Sequence, residues 1–300
     1  MDRLSNQVSD KNLAWSAHSL VERDFSYNLS DNVLSELRKN SSGNYRESLQ
    51  LKTAMSGFYR DYLKEGPGFA IIEGLNPTEF SRNKQEAIYW EMCSILGELL
   101  PQNAQGDIRY EVRDMGKTME AGGRYSETRQ SGILHTDSVQ WDSPPDILGL
   151  LCLHPAQSGG DSVVVSAYSI HNRLLQENPD LLNVLYEPFP FETRKGRGEV
   201  QLIKKPIFTY NKKDGLRFRY IGTYIPQNSL NSEQQDAKKA LDRLLEDESL
   251  IVRIGILQAG EVNFMMNHRM AHGRGSDFVD YEEPEKKRVM IRVWLKERNE

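Results

Sequence analysis

Cysteine is scarce: the 300 residues contain two, Cys93 and Cys152, far apart and in no CxxC or CxxH spacing. That excludes a disulfide scaffold and a thiolate zinc site, and two buried, reduced thiols are expected. Basic excess is lacking as well, with 38 Lys and Arg against 43 Asp and Glu and a net charge of −5. Phosphate affinity rests on clustered Lys and Arg, so nucleic acid is not an expected partner. Long apolar runs are missing. The longest, Ile147 to Leu153, falls far short of the roughly 20 residues that cross a membrane, and Met1 to Gln7 has no signal-like stretch. A cytosolic chain without membrane contact is expected. No internal repeat or low-complexity tract is present.

What the sequence does contain, 38% hydrophobic and 9% aromatic residues, suits a large core. Residues 1–50 read as a polar, irregular lead-in with short helices around Leu34, Leu37 and Leu49, and 51–300 as one elaborated domain. Met55, Phe58, Tyr59 and Leu63 recur at helical spacing over Lys52–Lys64, and Gly66-Pro67-Gly68 stops that helix. A strand, Phe69–Glu73, follows, then a turn and long helix over Pro77–Leu100. After Pro101 the pattern is β-rich, with runs at Ile108–Val112, Ile133–His135, Leu148–Leu153, Ser162–Ser166, Ile207–Tyr210 and Phe218–Tyr220, and with Val262–Met266 and Arg288–Leu295 closing the chain. Helices interrupt at Ala167–Leu175, Pro179–Tyr186 and Ser232–Glu246. Many short strands with helices before and among them predict an α+β fold with a mainly β core, a double-stranded β-helix of the jelly-roll or cupin-like type.

Four clusters carry possible chemistry. In a strand, residues i and i+2 share a face, so His135 and Asp137 of His135-Thr136-Asp137 can meet one metal ion while Thr136 points away; a hydrogen-bonded His beside a surface Asp is the plainer alternative. Asn267-His268-Arg269-Met270-Ala271-His272-Gly273-Arg274 offers a third ligand, and two histidines with one carboxylate form the facial triad of non-haem Fe(II) oxygenases. His268 and His272 cannot both serve from an extended segment, which separates them by about 13 Å. A helix there would bring them together and favour a hydrolytic zinc site, but Gly273 and Gly275 argue against it. In Arg288–Leu295, alternation places Arg288, Met290, Arg292 and Trp294 on one face, and a guanidinium is a natural anchor for a dicarboxylate; a sheet edge with solvated charges is the alternative. Ser158–Ser166 opens with a Gly159-Gly160 turn and presents Ser162, Val164 and Ser166 on one side.

Taken in order, these clusters resemble the TauD/TfdA family of Fe(II)- and 2-oxoglutarate-dependent dioxygenases, including its clavaminate-synthase-like and amino-acid hydroxylase branches. Members show an HxD or HxE pair, a GG[DE][ST] turn, an N-x-R-x-x-H-x-R segment and an arginine in the next strand. Here these are His135-Thr136-Asp137, Gly159-Gly160-Asp161-Ser162, Asn267 to Arg274, and Arg288. The resemblance also runs through Gly68–Gly74, Leu96 to Asp114 and Pro144–Leu150, so it covers most of 65–296. It implies that His135, Asp137 and His272 hold Fe(II), that Arg288 and Ser162 receive the far carboxylate of 2-oxoglutarate, that O₂ is consumed, and that Arg292 contacts substrate. It also implies hydroxylation rather than halogenation, because Asp137 fills the carboxylate position that related halogenases replace. Two departures stand out: His268 occupies a place where Asn or Asp is common, adding a titratable group near the metal, and an insertion spans Phe278–Lys287.

The substrate expected is a small amino-acid-like or specialised metabolite. The polar stretch Asn103–Ser131, with Arg109, Tyr110, Arg113, Tyr125, Ser126 and Thr128, reads as a lid closing over a zwitterion. Asn103, Arg113, Tyr125, Trp141 and Arg292 are the substrate-contact candidates, with Gln140 and Arg217–Tyr220 as further pocket positions. A non-catalytic cupin-like protein that binds metal and a small ligand is the competing reading, and a homo-oligomer is compatible with either.

Overall fold

The computed structural model describes residues 2–40, 43–103, 105–193 and 200–298. Met1, Ser41 and Ser42 of the lead-in and Ala104 of the lid stretch lie outside the described residues. The strands that build the core are, in chain order, β1 (Ser26–Asn28), β2 (Phe69–Glu73), β3 (Glu98–Leu100), β4 (Tyr110–Val112), β5 (Ile147–His154), β6 (Ser162–Ser166), β7 (Val252–Gly255), β8 (Val262–Met266), β9 (Met270–Arg274) and β10 (Val289–Lys296). Seven of them form one sheet in the order β1-β2-β8-β5-β10, with β3 and β4 both on the outer edge of β10. Only the β1–β2 pair is parallel among these pairings. Facing it is a three-stranded antiparallel sheet, β7-β6-β9. Two opposed sheets with helices packed outside are the jelly-roll arrangement that the strand pattern predicts.

Period-two alternation assigns the faces of the large sheet. Phe264 packs its ring 6.0 Å from Phe58 and 5.9 Å from Tyr89, in α2 (Leu49–Phe58) and α3 (Arg82–Leu96) of the helical layer, which also holds α1 (Asp31–Lys39). Burying one such phenylalanine contributes about 1.5–3 kcal/mol. Gly149, beside Phe264 in β5, is small because a Cβ there would lie 2.5 Å from the Tyr89 hydroxyl. The opposite face therefore carries Leu150, Cys152, Met290, Arg292 and Trp294 into the space between the sheets. A second core gathers α4 (Ala167–Glu177), α5 (Pro179–Leu185) and α6 (Ser232–Leu245) around Ile170, Leu174, Phe189 and Phe208. Asn231 and Gln234 start α6 with a reciprocal capping box.

Three features differ from the sequence-based expectation. The lead-in is not a loose appendage: Ser26–Asn28 joins the large sheet, and Trp15, Phe25 and Leu37 lie in its core. The helix expected over Lys52–Lys64 changes at Tyr59 into a π-helical turn through Lys64. Its exposed carbonyls find a partner in buried Arg269, which donates to Leu63 O at 2.5 Å, Lys64 O at 3.0 Å and Gly66 O at 3.3 Å. The third is the Ile133–His135 run, which forms a single bridge to His272 instead of a strand. None of the helices of the described residues is long and apolar enough to cross a membrane.

Candidate active site

The bridge between His135 and His272 fixes the site. His135 N donates to His272 O, and His272 N to His135 O, both at 2.9 Å. This is the hydrogen-bonded type of antiparallel pair, whose side chains leave the same face; the imidazole centroids are 4.7 Å apart. The His135 Nδ1 hydrogen bonds to Ile133 O at 2.8 Å, which orients the ring and leaves Nε2 for a ligand. Burial, and His135 beside it, push the His272 imidazole down to about 3, so it is neutral at physiological pH, as metal binding requires.

Asp137 arrives differently from the strand alternation expected. After the bridge the chain turns, and Ser138, at φ +57°, is the sole positive-φ non-glycine among the described residues. The turn is held by Asn267, whose Oδ1 accepts from Asp137 N at 2.7 Å and whose Nδ2 donates to Asp137 O at 3.1 Å and Pro145 O at 2.9 Å. The buried Asp137 carboxylate lies 3.5 Å from His135 Nε2. Its Oδ2 accepts from Trp294 Nε1 at 2.8 Å and from Arg292 Nη1 at 3.5 Å. Burial alone would raise its carboxyl; Arg292 and the His135 hydrogen bond more than offset this and hold it well below the usual carboxylate range. One donor atom each from His135, Asp137 and His272 lie within 4.8 Å of one another, the only metal-holding cluster of His, Cys, Asp or Glu among the described residues. Two imidazoles and one carboxylate, held from the backbone, fit Fe(II).

The expected cosubstrate anchor has an equally specific state. Arg288 is 5% exposed, its Nη1 is sealed without a partner, and its Nη2 meets only the weakly accepting Met290 sulfur at 3.0 Å. Its guanidinium lies 5.0 Å from the Phe278 ring, and burial lowers its pKa from the ordinary value. The glycine turn packs against it: Gly159, at φ +70°, would place a Cβ 2.1 Å from Asp277 O, and a Cβ on Gly160 would lie 3.7 Å from Arg288 Nε. The turn so placed leads into Ser162, the first residue of β6. A sealed guanidinium lacking an acceptor fits a carboxylate, which takes two parallel hydrogen bonds.

A cavity of about 730 Å³ opens onto His135 and Asp137. Four of the five substrate candidates line it. Tyr125 stacks on the His135 ring at 5.4 Å and 21°, and Trp141 meets Trp294 edge-on at 5.4 Å. Arg292 bonds Gln102 Oε1 through Nε at 2.8 Å. Asn103 reaches the wall, but its side chain is engaged with Asp107 and the backbone N–H of Gln105. Arg113 lies elsewhere: it is half-exposed, 3.9 Å from Glu111, and absent from the lining among the described residues. His268 also departs from expectation. It sits outside the ligand cluster with Nδ1 3.8 Å from Asp146, and burial with Arg217 nearby lowers its pKa well below the usual value. Arg217 pairs with Asp146, while Arg219 braces the turn through Val139 O and Trp141 O. Gln102, Met119, Thr223 and Tyr224 also line the cavity; the first two stand on loops and the last two in the single 3₁₀ turn Gly222–Tyr224, all too short for a periodicity to mark them.

A facial set of two imidazoles and one carboxylate inside a jelly roll defines the mononuclear non-haem Fe(II) oxygenases, and this protein is of that class. Residues 34–294 match the family described as taurine catabolism dioxygenase TauD, TfdA family. The chain belongs to that family, and it is a dioxygenase dependent on Fe(II), 2-oxoglutarate and O₂. It is 30% identical over 254 residues to FR-33289 synthase of Streptomyces rubellomurinus, covering 80% of this chain and 72% of that protein. It is 24% identical to the taurine hydroxylase-like protein SAT17 of Stachybotrys chartarum, over 71% of this chain and 57% of that one. Among solved structures, asparagine oxygenase with Fe(II), 3-hydroxyasparagine and succinate superposes at a TM-score of 0.65 with 14% identity, covering 91% of this chain and 93% of that one. A mutant of the non-haem iron oxygenase OrfP with (3S)-hydroxy-L-Arg gives 0.66 with 18% identity, covering 90% and 93%.

Proposed function

We propose that the protein hydroxylates a C–H bond of a free amino acid or a closely related small metabolite held in the cavity beside His135 and Asp137. The observation that carries this reading is the cavity itself: it opens directly on two of the three proposed ligands and is walled on one side by Asn103, Met119, Arg124, Tyr125 and Ser126 of the polar stretch. The hydroxyasparagine and hydroxyarginine named with asparagine oxygenase and OrfP support the substrate class.

His135, Asp137 and His272 would hold Fe(II), and Arg288 with Ser162 would receive the far carboxylate of 2-oxoglutarate. With O₂, the loaded centre supplies an oxidant able to take hydrogen from an unactivated C–H bond, while 2-oxoglutarate leaves as succinate and CO₂. The chain's own residues supply order. Trp294 and Arg292 keep Asp137 ionised and fixed beside His135, where it would serve as a ligand. Tyr125 covers one face of His135. Arg292 and the turn from Ser138 to Trp141 face the substrate side. We also place the protein in the cytosol, a reading supported by two buried, unpaired thiols.

The test is a screen of amino acids and amino-acid-derived metabolites with Fe(II), 2-oxoglutarate and O₂, reading succinate and product mass. A member of this class should stimulate succinate release and gain one oxygen, with no chlorinated product in high chloride. Stimulation confined to substrates outside this class, or no stimulation by any compound, would overturn the reading.

A further inference from the structure

Arg274 lies two residues beyond His272 on β9, so both side chains leave the same face of the strand. It is largely buried, and its guanidinium rests 4.9 Å from the Phe278 ring. Its donors go to the lid backbone: Nη1 to Thr128 O at 2.9 Å and Gln130 O at 2.6 Å, and Nη2 to Tyr125 O at 3.2 Å. The strand and lid also meet through Gly132 N, which donates to Arg274 O at 3.0 Å. The lid residues so held begin with Tyr125, whose ring stacks on His135, and include or adjoin the cavity-lining Arg124 and Ser126. One planar fork thus ties three lid carbonyls to the strand that carries His272. A lysine, with one compact ammonium, cannot reproduce that geometry.

We propose that Arg274 is a positioning residue for the hydroxylation: it clamps the returning arm of the lid, sets Tyr125 against His135 and so shapes the substrate side of the cavity. The proposal rests on the cavity being the substrate site. Its effect falls on substrate recognition, because the donor atoms that hold the metal and the far carboxylate belong to other side chains.

The experiment compares wild type, Arg274→Lys and Arg274→Ala as full-length, Fe(II)-loaded proteins. The first readout is tryptic cleavage after Lys117 and Arg124, which reports lid opening whatever the cavity binds. Cleavage should accelerate about tenfold or more in R274A and by an intermediate factor in R274K, since three charge-assisted hydrogen bonds are lost in one and some retained in the other. The second readout is steady-state kinetics with the substrate identified by the succinate screen. Substrate KM should rise about tenfold while Fe(II) and 2-oxoglutarate affinities move less than about threefold. Unchanged cleavage in both variants overturns the clamp. Faster cleavage with unchanged substrate KM overturns the positioning role and counts against the cavity as the substrate site. R274K, which keeps the buried charge and most of the stem, carries the test if R274A does not fold.

Discussion

Replacing Arg288 by methionine should move two measurements in opposite directions. In the protein without cosubstrate, Arg288 is a buried cation whose Nη1 has no partner and whose Nη2 meets only a thioether. The Phe278 ring, 5.0 Å away, returns about 0.5–2 kcal/mol. An ion left unpaired in the interior costs several kcal/mol, and apolar replacement of buried charges often stabilises by about 1–4 kcal/mol. Arg288→Met should therefore raise the Tm of the cosubstrate-free protein by a few degrees, at roughly 2 °C per kcal/mol for a chain of this size. With 2-oxoglutarate at 100 times its Kd the wild-type protein gains about 2.7 kcal/mol. The variant at the same concentration should gain about 0.9 kcal/mol at most, because truncating a buried charge partner costs about 2–5 kcal/mol of binding, a factor of roughly 30 to 5,000. Anaerobic thermal unfolding of the Fe(II)-loaded proteins, with and without 2-oxoglutarate, measures both shifts. A lower Tm for the cosubstrate-free variant together with an undiminished 2-oxoglutarate shift would refute the reasoning and move the anchor elsewhere.

Other expectations follow from single contacts. Trp294→Phe removes the 2.8 Å hydrogen bond to Asp137 while keeping the ring in place, so Fe(II) affinity should drop about tenfold or more in a metal titration. His268→Ala should leave Fe(II) affinity near the wild-type value, because the ring faces Asp146 and not the donor cluster; His272→Ala should abolish it. Fully buried His171 is pushed down to about 4 by burial, below its ordinary 6.5, so the unfolded chain binds the proton more readily. The stability it contributes is whole above about pH 6.5 and is lost as pH falls toward about 4, up to about 3 kcal/mol. Urea unfolding of His171→Gln should show a shallower loss over that window.

Where an apolar run is closed by glycine or a polar turn, the local pattern and the fold agree. Phe69–Glu73, Ser162–Ser166 and Val262–Met266 are strands with the bounds the sequence suggests. Met270–Arg274 has no such pattern: Met-Ala-His-Gly-Arg becomes a strand because β6 lies beside it in register, a long-range cause that no window contains. Pro188–Glu192 pairs with Leu202–Pro206 although each segment contains proline, which breaks any strand pattern a local window could show. Within the site, the HxD pair and His272 are the residues whose donor atoms cluster, yet the route is not strand alternation, since a turn pinned by Asn267 delivers Asp137. Trp294 was placed on the Arg292 face by alternation, but its partner belongs to a segment 157 residues away. The cavity walls from Thr223 and Tyr224 owe their place to tertiary packing alone.

The reciprocal backbone pairing of His135 with His272 makes metal binding a matter of chain length as well as chemistry. The ladder of β9 with β6 alternates its faces with each residue, so one residue inserted between Met270 and His272 would turn that imidazole away without altering a single donor. Substitutions around the site can be tolerated one at a time and tuned, whereas an insertion or deletion in that strand removes the centre at a stroke. Variation among descendants of this chain should accordingly accumulate as changed residues in β9 and as changed lengths in the lid and the loop from Phe278 to Lys287.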